Sequence, residues 1–95
     1  MSGEQIEDQG SSLAEFGTIQ DAVKVFRMMM ESRLFQKHDQ GFRGWDDPAF
    51  LPIYRRKLIE CAARVYAGDS AQCVDLANWA MIIDYCESKK AGAAT

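Results

Sequence analysis

Ninety-five residues hold at most one domain. Hydrophobic residues make up 47% and charged residues 26%, the ordinary balance of a soluble globular chain. A net charge of −3 and a pI near 5.0 argue against broad electrostatic binding to a nucleic acid polymer or an anionic membrane, and no apolar run reaches the roughly 18 residues needed to span a bilayer.

Residues 1–17 are rich in Gly, Ser, Glu and Gln and read as a mobile arm, with at most a helical turn near Leu13 to Phe16. They contain no signal-peptide core, which points to a cytoplasmic protein. Residues 18–87 read as one all-α domain of three main helices, and residues 88–95 as a small polar tail that frays. The first helix is expected from about Thr18 to Lys37, with Thr18 and Asp21 resembling a capping box. Ile19, Val23, Phe26, Met30 and Leu34 follow at helical spacing and form one apolar stripe.

His38 to Asp47 is a glycine-bearing, polar and aromatic segment, too long for a minimal helix–helix turn, and loops of this kind often carry function. The second helix is expected from about Pro48 to Ala67. Asp47 suits its N-cap and Pro48 its first position, while Pro52 predicts an irregular start. Its stripe is Leu51, Tyr54, Leu58, Cys61 or Ala62, and Val65, and Gly68 is a natural stop. The third helix is expected from Asp69 or Ser70 to near Glu87. Val74, Leu76, Ala77, Trp79, Ala80, Met81, Ile82 and Ile83 point in nearly every direction around it. A helix apolar all round is buried on all sides. Two partner helices cannot cover it in so short a chain, so the bundle is expected to be completed by oligomerisation, most simply as a homodimer or a higher homo-oligomer.

Cys61, Cys73 and Cys86 make no metal-ligand pair and read as small apolar residues on buried helix faces. The polar interruption of the third helix is more informative. Asp75 and Asn78 are three residues apart and share a helix face among apolar neighbours. A charge there requires a partner: a metal ion, a basic side chain or backbone donors at a helix end. Glu60, eight residues before Gly68, and Asp75, seven after it, reach similar heights in an antiparallel hairpin, and two facing carboxylates suit Mg²⁺. The plainer alternative is that Glu60 pairs with Arg56 and Arg64, each four residues away. Glu31 is a third candidate carboxylate, beside the Met30 stripe position and equally readable as a solvated face. Lys37, His38, Arg43 and Arg55 to Lys57 gather near the loop, where they suit a polyphosphate, and Trp45 or Phe42 suits stacking on a base. Solubility accounts equally for the cations, and a core plug beneath the loop for Trp45.

Phe26-Arg-Met-Met-Met-Glu-Ser-Arg-Leu34, Lys37, Gly44-Trp45, Gly68-Asp69 and Val74-Asp-Leu-Ala-Asn-Trp-Ala-Met-Ile-Ile83 together resemble the phage-type branch of the MazG-like nucleotide pyrophosphohydrolases. That branch typically carries a Met-Glu-x-Lys-Leu element, a Lys-Gly-Gly-Trp loop and an Asp-Val-Ala-Asn-Phe-Ala-Met-Met helix. The resemblance covers roughly residues 22–87, is most specific in the final helix, and alone implies a phage or prophage origin. It implies an all-α oligomer that hydrolyses a (deoxy)nucleoside triphosphate to monophosphate and pyrophosphate. Its Mg²⁺ is held by an ExxE motif on one helix and an ExxD motif on the next. By position, Glu60 matches the first Glu, Asp75 the final Asp and Asn78 the Asn of the last helix, with Lys37, Arg43 and Trp45 left for substrate. Ala63 stands where the second ExxE carboxylate belongs, and Gln72 where the first member of ExxD belongs. The alternative implied is a degenerate relative that binds or sequesters a nucleotide, or meets a protein partner, without hydrolysis.

Overall fold

The computed structural model describes residues 9–94, with side chains from Ser12 to Gly92. Residues 1–8 of the expected arm and Thr95 of the expected tail lie outside the described residues. In chain order, helix α1 spans Gln9–Asp39. A 3₁₀ turn at Pro48–Phe50 runs into α2, Leu51–Tyr66, and a second at Ser70–Gln72 runs into α3, Cys73–Ala94. Among the described residues there is no strand, so the chain is a small all-α bundle of three helices. None of these helices is long and apolar enough to cross a membrane.

The helix starts follow their side chains. Asp47 accepts from the Ala49 amide at 3.0 Å, and Asp69 from the Ala71 amide at 3.2 Å. Each carboxylate opens a 3₁₀ turn and satisfies an otherwise orphaned donor. Pro52 sits inside the first turn of α2, which accounts for the irregular start. Thr18 does not cap α1. Its hydroxyl donates to Ala14 O at 3.2 Å within a helix that already began at Gln9. A Thr back-bonded to i−4 is an interior residue. At the other end α3 continues to Ala94 instead of stopping near Glu87.

The stops are glycines in the left-handed region. Gly41 has φ of 103° and Gly68 of 106°. Behind each lies the same pair of bonds: Phe42 N–H to Lys37 O with Gly41 N–H to His38 O, and Asp69 N–H to Arg64 O with Gly68 N–H to Val65 O. These are Schellman closures, which need a positive φ at the residue after the cap.

α2 and α3 form an antiparallel hairpin that holds most of the core: Leu51, Tyr54, Cys61, Trp79, Ile82 and Cys86. Cys61, and not Ala62, is the buried member of the α2 stripe. α1 lies against α3 and, among the described residues, does not approach α2. Within one chain α3 is not covered on every side, since Ala80 and Tyr85 are exposed, as two partner helices alone would leave it. The uncovered apolar element is α1. Its stripe is half-buried at Phe26, Met30 and Leu34, but Ile19 and Val23 are 51% and 62% exposed. The radius of gyration is 16.9 Å, against about 12 Å for a compact chain of this length, because the N-terminal half of α1 extends beyond the hairpin.

Gly68→Ala is expected to cost about 1–2 kcal/mol from left-handed strain alone. Gly44→Ala is expected to cost more, because Gly44 has φ of 78° and its added Cβ would meet Phe50 Cε2 at 3.0 Å. Urea midpoints of the two variants check the order, and equal midpoints would show that the Phe50 contact is immaterial.

Candidate functional site

The segment between α1 and α2 is pinned at several points. Tyr54 Oη donates to Gly44 O at 2.6 Å, and the Cys86 thiol donates to Trp45 O at 3.3 Å. Lys89 pairs with Asp46 at 3.1 Å, and Arg55 pairs with Glu87 across the hairpin. Behind the loop is an aromatic cluster. Tyr54 stacks on Trp79 with centroids 5.4 Å apart, and Phe42 meets Trp79 edge-on at 6.0 Å. Edge and offset contacts of this kind suit the ring quadrupoles. Two of these groups carry protonation shifts. Burial, with smaller help from Cys86, Asp47 and Asp46, raises the Tyr54 hydroxyl above its ordinary 10.0. Burial, with help from Asp46, raises the Cys86 thiol above 9.0.

Between the C-terminal turn of α1, the loop and α3 lies a pocket of about 230 Å³ lined by Leu34, Phe35, His38, Phe42, Trp45 and Met81. Its lining is apolar and aromatic with one titratable side chain, the composition of a small-molecule site with room for one flat ring system. Trp45 is half-buried, its ring 4.9 Å from that of the exposed Tyr85. It packs against the core cluster and also forms part of the pocket wall.

The cations near the loop have local partners. Lys37 Nζ sits 5.6 Å from the Trp79 ring centre, a cation–π contact that covers the aromatic cluster. Arg43 donates to His38 O at 2.6 Å and Phe42 O at 3.1 Å, so its guanidinium satisfies carbonyls at the end of α1.

The carboxylates predicted from sequence are placed on separate cations. Asp75, 17% exposed, accepts from Arg33 Nε at 3.0 Å. Glu60 is exposed and 3.9 Å from Lys57, a partner three residues away rather than the expected Arg56 or Arg64. Glu31 is exposed and 3.9 Å from Arg27. Among the described residues no three His, Cys, Asp or Glu side chains gather in a way that would hold a metal ion. Mg²⁺ asks for several convergent oxygen ligands, and this donor set does not supply them. Asn78 is the buried polar residue of α3. Its Nδ2 donates to Met30 O at 3.3 Å, while its Oδ1 is buried without a partner. Together Arg33–Asp75 and Asn78–Met30 make a polar seam that fixes α1 on α3.

Sequence reasoning missed Arg33, Tyr54 Oη and Tyr85. Arg33 carried a signal, since a carboxylate on an apolar helix needs a cation and Arg33 shares the flank of the α1 stripe. Tyr54 carried one too, because a hydroxyl at a core position requires an acceptor. Nothing in the local pattern pointed to Tyr85. No family model matches the chain, and no curated protein or solved structure matches it either.

Arg33→Met is expected to destabilise by ~1–3 kcal/mol, because it strands a mostly buried carboxylate. The double variant Arg33→Met with Asp75→Leu should recover most of that loss. Denaturant unfolding reads both, and a double variant as unstable as the single would remove the seam argument. The pH dependence has a definite sign. The native state holds the Tyr54, Cys86 and Lys89 protons more tightly than their ordinary values of 10.0, 9.0 and 10.5, Lys89 through its bond to Asp46. Their contribution is therefore full below about pH 9 and is lost as pH rises through the shifted values. Urea midpoints should fall between pH 8.5 and 11, and a flat profile would contradict the shifts.

Proposed function

We propose that this protein binds a nucleotide at the loop pocket and does not hydrolyse it, as a MazG-like relative that has kept the binding site and lost the metal cage. The observation that carries the second half is Asp75. It is held by Arg33 in a largely buried ion pair, with Glu60 and Glu31 exposed on other faces. The first half is supported by the aromatic pocket wall of Phe42 and Trp45, with His38 in the lining and Lys37 and Arg43 next in sequence to lining residues. A base stacks on aromatic faces at a cost in sequence selectivity but not in affinity, and a phosphate tail accepts from guanidinium and ammonium donors. Asn78 under this reading is a positioning residue that sets where α1 lies. The working unit under this reading is an oligomer of this chain, and the exposed apolar side chains of α1 are what supports it. A Mg²⁺-dependent hydrolase remains the competing reading, carried by the Asp75-Leu-Ala-Asn78 segment, and needs carboxylates from elsewhere.

The experiment is calorimetric titration of a panel of ribo- and deoxynucleoside triphosphates with Mg²⁺, with pyrophosphate release assayed in the same samples. Binding without release is expected. It should be accompanied by a Trp fluorescence change that disappears in Trp45→Phe and persists in Trp79→Phe. Release at steady turnover would restore the hydrolase. The absence of binding would leave an interaction or structural role.

A further inference from the structure

Three cations lie on or beside the segments that form the loop pocket, and each is committed. Lys37 sits over the Trp79 ring at 5.6 Å. Arg43 donates to two carbonyls, at 2.6 and 3.1 Å. Lys89 is held by Asp46, which follows Trp45, at 3.1 Å. His38 differs from all three. Its backbone carbonyl accepts from Arg43, but its exposed imidazole lines the pocket and makes no hydrogen bond or ion pair among the described residues.

Size and surroundings limit the negative charge that such a site holds. A pocket of about 230 Å³ admits one ring system, so the sugar and phosphate of a nucleotide stay at its mouth. His38 belongs to the last turn of α1. The free carbonyls of a helix C-terminus carry the negative end of its dipole, which disfavours anions. Asp39 adds a carboxylate next to His38, and the whole chain carries −3. Releasing Lys37 to offset a further phosphate gives up its cation–π contact. Releasing Arg43 leaves carbonyls at the end of α1 without their donor.

We infer, resting on the nucleotide-binding reading above, that the pocket takes a nucleoside monophosphate in preference to the triphosphate, with the base against Phe42 and Trp45 and the single phosphate on His38. An imidazole N–H donates to one phosphate group. A second and third phosphate would meet only committed cations and the negative end of α1. His38 is then the residue that sets the number of phosphates, and the aromatic wall is what holds the base.

The test is calorimetric titration of the full chain, in EDTA, with the deoxynucleosides of the four common bases and their 5′-mono- and triphosphates. For the base that binds best, the monophosphate is expected to bind about tenfold more tightly than the nucleoside, and at least as tightly as the triphosphate. His38→Ala, at an exposed position, is expected to erase most of the difference between monophosphate and nucleoside. A looser pocket alone would weaken both ligands together, so an unchanged ratio in the variant would overturn the role of His38. A triphosphate that binds more tightly than its monophosphate, or a monophosphate no tighter than its nucleoside, would overturn the preference and leave base binding standing. No binding by any of these ligands would overturn both the preference and the nucleotide reading.

Discussion

The stacking of Tyr54 on Trp79 is the contact on which the rest of the molecule is arranged. It locks the first turn of α2 to α3, with Tyr54 4% and Trp79 9% exposed. A tyrosine buried there must find an acceptor for its hydroxyl, and it finds Gly44 O. That bond holds the loop down, and the loop then presents Phe42 edge-on to Trp79 and leaves Trp45 beside Tyr85. Lys37 closes the exposed edge of the cluster from the end of α1. The pocket is thus a by-product of one buried aromatic pair whose polar atom had to be satisfied. Gly44 is the residue that lets the chain pass, since it combines a positive φ with a close approach to the Phe50 ring.

A second constraint acts on α1. Its apolar contact with α3 is short, and the polar seam supplies the direction that a small apolar contact lacks. Arg33–Asp75 and the Asn78 amide both reach across the same interface. A half-buried pair adds little net stability but penalises every register that separates its charges. The orphaned Asn78 Oδ1 is a cost of the order of 1–3 kcal/mol, accepted within a seam whose other members are paired. This arrangement also decides the electrostatic character of the site. Asp75 is occupied as a counter-ion to Arg33, while Glu60 and Glu31 belong to the solvated faces of their own helices.

Small chains bury a modest fraction of their surface, and here nearly all of that burial is spent inside the hairpin. A 31-residue α1 spans about 46 Å, more than the 22-residue α3 on which it lies can shield. Apolar side chains therefore remain exposed on the overhang at Leu13, Phe16, Ile19 and Val23.

Local signals sufficed for much of this. Asp47 with Pro48, Gly68, and the Leu51, Tyr54, Leu58, Cys61 spacing located α2 and its buried face, because capping and periodicity act within a few residues. The all-α class and three helices followed from the same signals. The start of α1 was not legible, since Ser11 to Gly17 is poor in apolar periodicity and Thr18 imitates a cap that a helix already under way does not need. Which positions of α3 stay exposed was not legible for a different reason: periodicity states which faces are apolar but not how much neighbouring chain reaches them. That Asp75 and Asn78 share a face was determined by sequence alone. That the face meets Arg33 and the Met30 carbonyl, and that Glu60 lies on another side of the hairpin, was decided only by the tertiary packing. Partner choice between helices depends on the rotation of each helix about its axis. The summed burial of Tyr54, Trp79, Ile82 and Cys86 sets that rotation, and no local pattern encodes it.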